Sequence, residues 1–276
     1  MMTGINTNIA SMNAQRNLSS SQSSLSTSLQ RLSSGLRVNS AKDDAAGLSI
    51  ATRMDSQVRG MNVAIRNSND AISFSQTAEG ALGKVTDALQ RMRELAVQSS
   101  NATNNAGDRA NLGTEFSELQ AEITRLTGNT KFNGTNVLAG GTNVYQVGAD
   151  TTDTISVTTT DLTAAGSDTG AAAAATVLID TAANSALAIT AIDDALDEIN
   201  TERATYGAVQ NRFESVISNL KVSVENSSAA KSRIMDADFA TETANLTRAQ
   251  ILQQAGTAML AQANQVPNNV LTLLRG

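Results

Sequence analysis

Hydrophobic residues recur at spacings of three and four positions along most of the chain, with polar residues between them. This spacing places apolar side chains on one side of an α-helix and leaves the other side to water. It predicts five helices, with a much more polar and weakly patterned stretch in the middle of the chain. The predicted helices cover residues 5–38, about 41–100, 108–127, about 192–224 and about 236–276.

Both ends of the chain carry apolar stripes of this kind. The N-terminal stripe consists of Leu18, Leu25, Leu29, Leu32 and Leu36. The C-terminal stripe consists of Leu252, Met259, Leu260, Val266, Val270, Leu273 and Leu274. The ends of globular chains are usually polar and frayed. These stripes therefore need partners, either each other or other subunits, and they favour assembly over catalysis.

The boundaries between helices follow from local signals. Ser40-Ala41-Lys42-Asp43 has the spacing of a capping box, which predicts the start of the second helix there. Asparagines and glycine at 101–107 predict a turn. Alternating polar and apolar residues at 137–160 predict one or two small β-hairpins, and 163–176 is expected to be a loop. The single proline, Pro267, predicts a kink in the last helix.

Composition excludes several classes of chemistry. The chain has no histidine and no cysteine, so it lacks a Ser-His-Asp triad, a thiolate nucleophile and the usual zinc ligands. We expect no enzymatic activity, cofactor or metal. The net charge of −6 and the absence of a basic stripe argue against nucleic acid. No apolar run approaches the length of a membrane span. The polar N-terminus lacks the apolar core of a signal peptide, so export would require a dedicated machine.

Carboxylates cluster where helices are predicted to begin, at Asp43-Asp44 and at Asp236, Asp238 and Glu242. Paired carboxylates can act as a general acid and base. Negative charge at a helix N-terminus is also favoured by the helix dipole, and we take this as the explanation here.

Several long blocks of the sequence closely resemble bacterial flagellin. They include the runs that begin at Ile5, Arg31, Gln90 and Lys131, and the C-terminal runs at 249–256 and 262–275. Together they cover roughly the first 160 and the last 90 residues. The resemblance implies a subunit that is exported unfolded, polymerises at the tip of the flagellar filament and serves motility outside the cell. It also implies an export chaperone at the C-terminal helix, and filament cap and hook-junction proteins as partners.

The resemblance extends to the segment that is bound by the host Toll-like receptor that senses flagellin. The matching residues are Leu89, Gln90, Arg91, Glu94 and Leu95, with Glu115 on the neighbouring helix. A purely structural role is the alternative, because Leu89 lies on the apolar row of its helix and the charges could serve subunit packing.

The expected fold is mainly α: an elongated bundle of long antiparallel helices, with paired N- and C-terminal coiled-coil helices and a small β-hairpin region. We expect residues 1–40 and 236–276 to form a terminal coiled-coil domain. Residues 41–160 and 186–235 would form a helical core domain, and 161–185 a short variable connector. Many flagellins carry large outer domains at that point, and this chain has no room for one.

Two other functions remain open at this stage. The hook–filament junction protein has similar terminal helices. A secreted helical effector or adhesin would act as a monomer with ordered termini. An enzyme is the weakest alternative.

Overall fold

The computed structural model describes residues 7–275, and the side chains of residues 7–265. The chain forms two compact units. Unit 1 comprises Met1–Ser56 and Asn226–Gly276, and unit 2 comprises Gln57–Glu225. The five predicted long helices are present as α1 (Ile9–Ser34), α2 (Ala45–Ser100), α3 (Ala106–Asn129), α5 (Ala182–Met235) and α6 (Phe239–Arg275). A short helix, α4 (Asp168–Ala172), precedes α5.

In unit 1, helices α1 and α6 lie side by side and run antiparallel. The side-chain amide of Asn8 donates to the carbonyl of Ala263 at 2.8 Å, and Arg31 lies 3.8 Å from Glu242 at the other end of the pair. Helix α1 ends at Gly35, whose positive φ of 72° is easily adopted only by glycine. Beyond it, the backbone N–H of Arg37 donates to Met235, and Ala237 donates to Gly35. These bonds fix the two chain segments that lead into the pair.

The start of α2 differs from the prediction. Ser40 and Asp43 do bond each other, through Oγ of Ser40 and a backbone N–H to carboxylate bond, but they close a turn that precedes the helix. The helix begins at Ala45, and Asp44 caps it by accepting a 2.8 Å bond from the N–H of Gly47. The capping prediction, which started the helix at Ser40, was therefore wrong by one turn, because Ser40 and Asp43 bond each other and Asp44 accepts from the free N–H group of Gly47.

In unit 2, a hydrophobic core lies between α2, α3 and α5. Its largest fully buried side chains are Leu82, Leu89, Met92, Leu95, Phe116, Ile123, Ile192 and Tyr206. A second cluster gathers Ala71 and Phe213 against Ile155 and Val157 of the larger hairpin. The aromatic ring of Tyr145 packs edge-on against that of Phe213, with centroids 5.5 Å apart.

Two antiparallel hairpins are present. Strands β1 (Lys131–Phe132) and β2 (Thr135–Asn136) form a small hairpin, and they are joined by Asn133 and Gly134, both with positive φ. Strands β3 (Ala139–Gln146) and β4 (Thr154–Asp161) form the predicted larger hairpin.

The connector after β4 is ordered by specific hydrogen bonds. The side-chain amide of the buried Gln120 on α3 donates to the carbonyls of Ala172, Ala174 and Val177. A tight turn precedes α4, in which the N–H of Ser167 donates to Ala164 and residues 165 and 166 face solvent. The predicted fold class, mainly α with long helices and small antiparallel strand pairs, is confirmed. A kink was predicted at Pro267, and helix α6 runs through that residue without a break.

Candidate assembly and recognition surfaces

The contact between α1 and α6 is a narrow seam with heptad spacing. On α1 the seam is formed by Ser11, Ala14, Leu18, Ser21, Leu25, Ser28 and Leu32. On α6 it is formed by Glu242, Leu246, Ala249, Gln253, Gly256, Leu260 and Ala263. Of these, only Ser11, Ser28, Glu242 and Ala249 are buried, and the other seam residues are partly exposed. Small and polar side chains therefore alternate with leucines in the seam, at positions that large apolar residues fill in a stable coiled coil.

The predicted stripe residues divide into two groups. Leu18, Leu25, Leu32, Leu36 and Leu260 are half-buried. In contrast, Leu29, Leu252 and Met259 are 50%, 51% and 64% exposed. Val266, Val270, Leu273 and Leu274 lie outside the residues whose side chains are described. The row through Leu252 and Met259 is therefore not the row that faces α1, and it is the small residues Ala249 and Gly256 that allow the helices to approach.

Large exposed apolar side chains flank the seam. On α1 they are Ile9, Met12 and Leu29, and on α6 they are Ile251, Leu252 and Met259. Periodicity in the sequence pointed to some of these residues but did not separate them from the seam, because a three-four row covers two adjacent helix faces. Ile9, Met12 and Ile251 were not among the predicted assembly residues.

The exposed rows of the two helices point to opposite sides of the pair. Viewed from one end, the residues of two antiparallel helices turn in opposite senses. A residue that follows a seam position on one helix therefore lies on one side of the pair, and a residue that precedes a seam position on the other helix lies on the opposite side. Met12 and Leu29 follow the seam residues Ser11 and Ser28 on α1. Leu252 and Met259 precede the seam residues Gln253 and Leu260 on α6. Unit 1 therefore has two different apolar faces, one from each helix.

A buried carboxylate lies at one end of the seam. The side chain of Glu242 is only 9% exposed, and its nearest cation is the Arg31 guanidinium at 3.8 Å. The Nε atom of Arg31 is buried without a hydrogen-bond partner. Because a buried charge needs a counter-charge, the two helices depend on each other at this point. The acidic residues at the start of α6 also act as expected for a helix N-terminus, since Asp238 accepts from the N–H groups of Ala240 and Thr241.

In unit 2, a cluster of exposed charges joins α2 to α3. The Arg91 guanidinium lies 2.9 Å from the carboxylate of Glu94 on its own helix and 2.7 Å from that of Glu115 on α3. Hydrogen bonds to Glu94 and then to Glu115 hold the pKa of Arg91 above its ordinary value. Gln90 is exposed beside them. Among the residues that we associated with the receptor, these four are available to a partner.

Leu89 and Leu95 belong to the interior. Both are fully buried on α2, where they pack in the core of unit 2. A partner cannot contact them directly in this fold, and their role in any recognition surface is to hold α2 in place. Sequence reasoning did not find a second exposed pair, in which Arg93 of α2 bonds Asp193 of α5 at 2.6 Å. That bond lowers the pKa of Asp193 and raises that of Arg93.

The described part of the chain contains no cluster of three or more acidic side chains arranged to hold a metal ion. Across the same residues, no helix combines the length and the apolar character needed to cross a bilayer.

Comparison with known proteins shows similarity along nearly the whole chain. Residues 5–143 match the family described as the bacterial flagellin N-terminal helical region, and residues 189–274 match the bacterial flagellin C-terminal helical region. The chain is 47% identical over 271 residues to a flagellin of Halalkalibacterium halodurans, covering 98% of this chain and 99% of the relative. It is 42% identical over 284 residues to the flagellar filament 33 kDa core protein of Treponema phagedenis, with the same coverage.

A solved structure is also similar. The crystal structure of Bacillus cereus flagellin superimposes with a TM-score of 0.50 at 34% sequence identity, over 56% of this chain and 88% of that chain. A longer relative, flagellin A of Vibrio cholerae, aligns over 379 residues at 36% identity and covers the whole of both chains.

Proposed function

This chain belongs to the bacterial flagellin family, structural proteins that polymerise into the flagellar filament, and we propose that it assembles by coupled folding and association of its terminal helices. As a filament subunit it forms part of the extracellular flagellum. The proposal has three parts: how one subunit joins the next, how the chain reaches the filament tip, and which other proteins bind it.

The observation that carries the mechanism is the distribution of side chains around the α1–α6 pair. Serines, alanines and a glycine alternate with half-buried leucines in the seam, whereas other large apolar residues face solvent on both flanks. A seam of this composition stabilises the pair weakly. The exposed leucines and methionines can be covered by neighbouring molecules, and because they are about half exposed each one that is covered gains about half of the ~1.5–3 kcal/mol of full burial.

The arrangement of the two apolar faces supports a head-to-tail contact. One face comes from α1 and the other from α6, so a subunit can present its α1 face to the α6 face of a neighbour. Such a heterologous contact repeats without closing when its rotation does not complete a ring, and it then generates a helical fibre. This would make the terminal helices fold fully only where neighbours supply the missing apolar surface.

Seeded polymerisation tests this mechanism. Purified chain is added to short filament seeds with a precipitant salt, and growth is followed by sedimentation and electron microscopy. The full chain should form long uniform filaments, and a truncation without residues 1–38 and 236–276 should form none. Within the full chain, Leu29→Gln and Leu252→Gln should slow growth, while the matched variants Leu29→Met and Leu252→Met, which remain apolar, should grow normally.

The outcomes separate the alternatives. A full chain that stays soluble with unchanged helix content would contradict assembly through these faces. A monomeric chain with ordered termini would instead support a role as an effector or adhesin. Growth only on hook-derived seeds, with no extension beyond a few subunits, would favour a hook–filament junction protein.

Export and delivery belong to the same proposal. The chain would pass unfolded through the flagellar secretion channel, held by an export chaperone at its C-terminal helix, and would then meet the cap protein at the tip and the hook-junction proteins at the base. The exposed row of Ile251, Leu252 and Met259 on α6 supports chaperone binding, because an amphipathic helix can place such a row into an apolar groove. Leu252→Gln should weaken chaperone binding in a calorimetric titration, and unchanged affinity would argue against this site.

We further propose that the exposed charges of α2 and α3 are recognised by the host Toll-like receptor that senses flagellin. The supporting observation is that Arg91, Glu94 and Glu115 form one exposed cluster across two helices. In a receptor-reporter assay, Arg91→Ala should reduce potency by about tenfold or more, as truncation of an interfacial arginine does. The control is Arg125→Ala, which removes a similarly exposed arginine of α3 that lies outside this cluster and should leave the potency unchanged.

A further inference from the structure

Two methionines occupy positions on the terminal helices where oxidation would matter. Met12 on α1 is 47% exposed and Met259 on α6 is 64% exposed. The other methionines with described side chains are Met54, Met61, Met92 and Met235. Met92 is fully buried in the core of unit 2, and the remaining three are partly buried. Among the described methionines, those most open to solvent are thus the two that lie on the apolar faces of unit 1.

Met12 and Met259 lie at the same level of the helix pair. The bond from Asn8 to the carbonyl of Ala263 and the contact of Leu18 with Gly256 fix the register, which brings residue 12 level with residues 259 and 260. Since they belong to the opposite faces defined above, each of the two apolar faces carries one methionine. A change at either position would alter one side of a head-to-tail contact.

We propose that Met12 and Met259 are oxidation-sensitive sites, and that their conversion to methionine sulfoxide by peroxide blocks addition of the subunit to the filament. The inference rests on the proposed assembly function, since it requires that the α1 and α6 faces be covered by neighbouring subunits. It concerns the free subunit, in which both side chains are open to solvent.

The chemistry is a two-electron oxygen transfer. A lone pair of the thioether sulfur attacks one oxygen of hydrogen peroxide, an S–O bond forms as the O–O bond breaks, and after proton transfer water leaves. The sulfur is oxidised by two electrons and the peroxide is reduced by two. The product is a polar sulfoxide in place of a flexible apolar side chain. Covering that sulfoxide with apolar atoms of a neighbour would require burying an oxygen without a hydrogen-bond donor.

Assembly should therefore respond to oxidation, and the effect should be reversible. Loss of one buried apolar side chain corresponds to a decrease in affinity of about tenfold or more for each face. Methionine sulfoxide reductases of the two epimer specificities would restore the thioether. Assembled filaments should resist the same treatment, because their neighbours would shield both sulfurs.

The experiment begins with untreated full-length chain on filament seeds. The same chain is then treated with hydrogen peroxide, freed of oxidant with catalase and returned to the seeds, while peptide mass spectrometry measures the sulfoxide content at each methionine. We expect Met12 and Met259 to oxidise before Met92 and seeded growth to fall by at least about tenfold. Reductase treatment should recover growth.

Variants identify the responsible residues. M12L/M259L keeps apolar side chains of similar volume and retains every other methionine, so it should grow normally and remain active after peroxide treatment. M92L is the matched control and should remain as sensitive as the original chain. M12Q/M259Q places a polar side chain of similar length at both sites and should grow poorly without any oxidant.

Each outcome has one meaning. If untreated chain fails to extend seeds, the proposed assembly function fails, independently of methionine chemistry. If untreated chain grows and fully oxidised chain grows at the same rate, the methionine inference is overturned. It is also overturned if M12L/M259L loses growth on oxidation as strongly as the original chain does.

Discussion

The Cδ1 atom of Leu18 on α1 lies 3.2 Å from the position that a Cβ atom on Gly256 of α6 would occupy. At this point the two helices are held close because one of them has no side chain. The approach fixes the register of the pair, and it leaves no room for an apolar knob of normal size at this seam position.

Replacing Gly256 with leucine should separate the helix pair. The new side chain would overlap Leu18, and overpacking of this kind typically costs about 1–3 kcal/mol even though leucine favours the helix. Hydrogen exchange of the α1 and α6 amides should become faster, and seeded filament growth should fail. Gly80→Leu, at a helical glycine with open space around it, is the control. Unchanged amide protection in Gly256→Leu would show that the pair tolerates a wider spacing.

Two glycines on α2 should respond to alanine in opposite directions. At Gly60 a Cβ would lie 2.9 Å from the Cβ of Ala149, which belongs to the segment joining β3 and β4, whereas at Gly80 it would meet nothing within 4 Å. Gly80→Ala should raise the free energy of unfolding by about 1 kcal/mol through helix propensity. Gly60→Ala should lower it, because the hairpin must move away. The comparison requires urea unfolding curves of both variants, and stabilisation by both would mean that the hairpin end is free to shift.

Stability should decrease in alkaline solution as the unfolded tyrosines ionise. Burial raises the pKa of Tyr206 from 10.0 to about 12, and its hydroxyl donates to the carbonyl of Val137. Below the unfolded pKa this residue contributes its full stabilisation. Between pH ~10 and ~12 the unfolded chain loses the proton while the folded chain keeps it, so stability falls with rising pH, by about 3 kcal/mol in total.

Urea midpoints measured across this pH range test the tyrosine prediction. Tyr206→Phe should be less stable at neutral pH by about 1 kcal/mol, because the carbonyl of Val137 loses its donor, but its stability should fall less steeply with pH. Burial also raises the pKa of the half-buried Tyr145, so Tyr145→Phe serves as a comparison with a smaller expected effect. Equal slopes for Tyr206→Phe and the original chain would contradict the assignment.

Removing the buried carboxylate of Glu242 should destabilise unit 1. Glu242→Ala would leave the Arg31 guanidinium against the seam with its nearest counter-charge lost. Because the Arg31 side chain is about a third exposed, we expect the free energy of unfolding to fall by about 1–2 kcal/mol, which is less than for a fully buried pair. Glu122→Ala breaks the more exposed Glu122–Arg125 pair and should leave stability nearly unchanged. The melting temperatures of the two variants test this. A decrease for Glu242→Ala alone would show that the Arg31–Glu242 contact stabilises unit 1, and no decrease would contradict the prediction.

The double variant Arg31→Met with Glu242→Leu extends this test. Replacing both charges with apolar side chains of similar volume should restore most of the stability lost in Glu242→Ala. Such a variant would fix the helix pair without the ion pair. Failure to recover would indicate that the charges specify the register of α1 against α6.

The helices were predictable because large apolar residues mark them. Leu112, Phe116 and Ile123 form one row on α3; Phe116 and Ile123 are buried, and the partly buried Leu112 packs against the same core. The exact helix starts were harder to predict: the spacing of Ser40 and Asp43 favoured a start of α2 at Ser40, whereas Asp44 meets the free N–H groups. Hydrogen bonds to specific backbone atoms made that choice.

The seam between α1 and α6 could be located from hydrophobicity only in part, through Leu18, Leu25 and Leu32. Its contact positions include Ser28, Ala249 and Gly256, which carry little apolar surface, while the more obvious Leu252 and Met259 point away. The seam position is determined by how closely the two backbones can approach, which depends on small residues.

In the segment associated with the receptor, the family resemblance covers a continuous run of residues and does not show which of them are exposed. Leu89 and Leu95 belong to that run, but they lie on the side of α2 that faces the core.

The turn before α4 offers a position for display of foreign peptides. Ala165 and Gly166 are exposed between the hydrogen-bonded residues Ala164 and Ser167, and the space around Gly166 is open. A peptide inserted there would begin and end within one turn, and each doubling of its length would add only about 0.6 kcal/mol of closure cost. The contacts of Gln120 with the later part of the connector would be untouched. Every subunit of a polymer would then carry one copy, and a weakly binding epitope would gain avidity from the regular array.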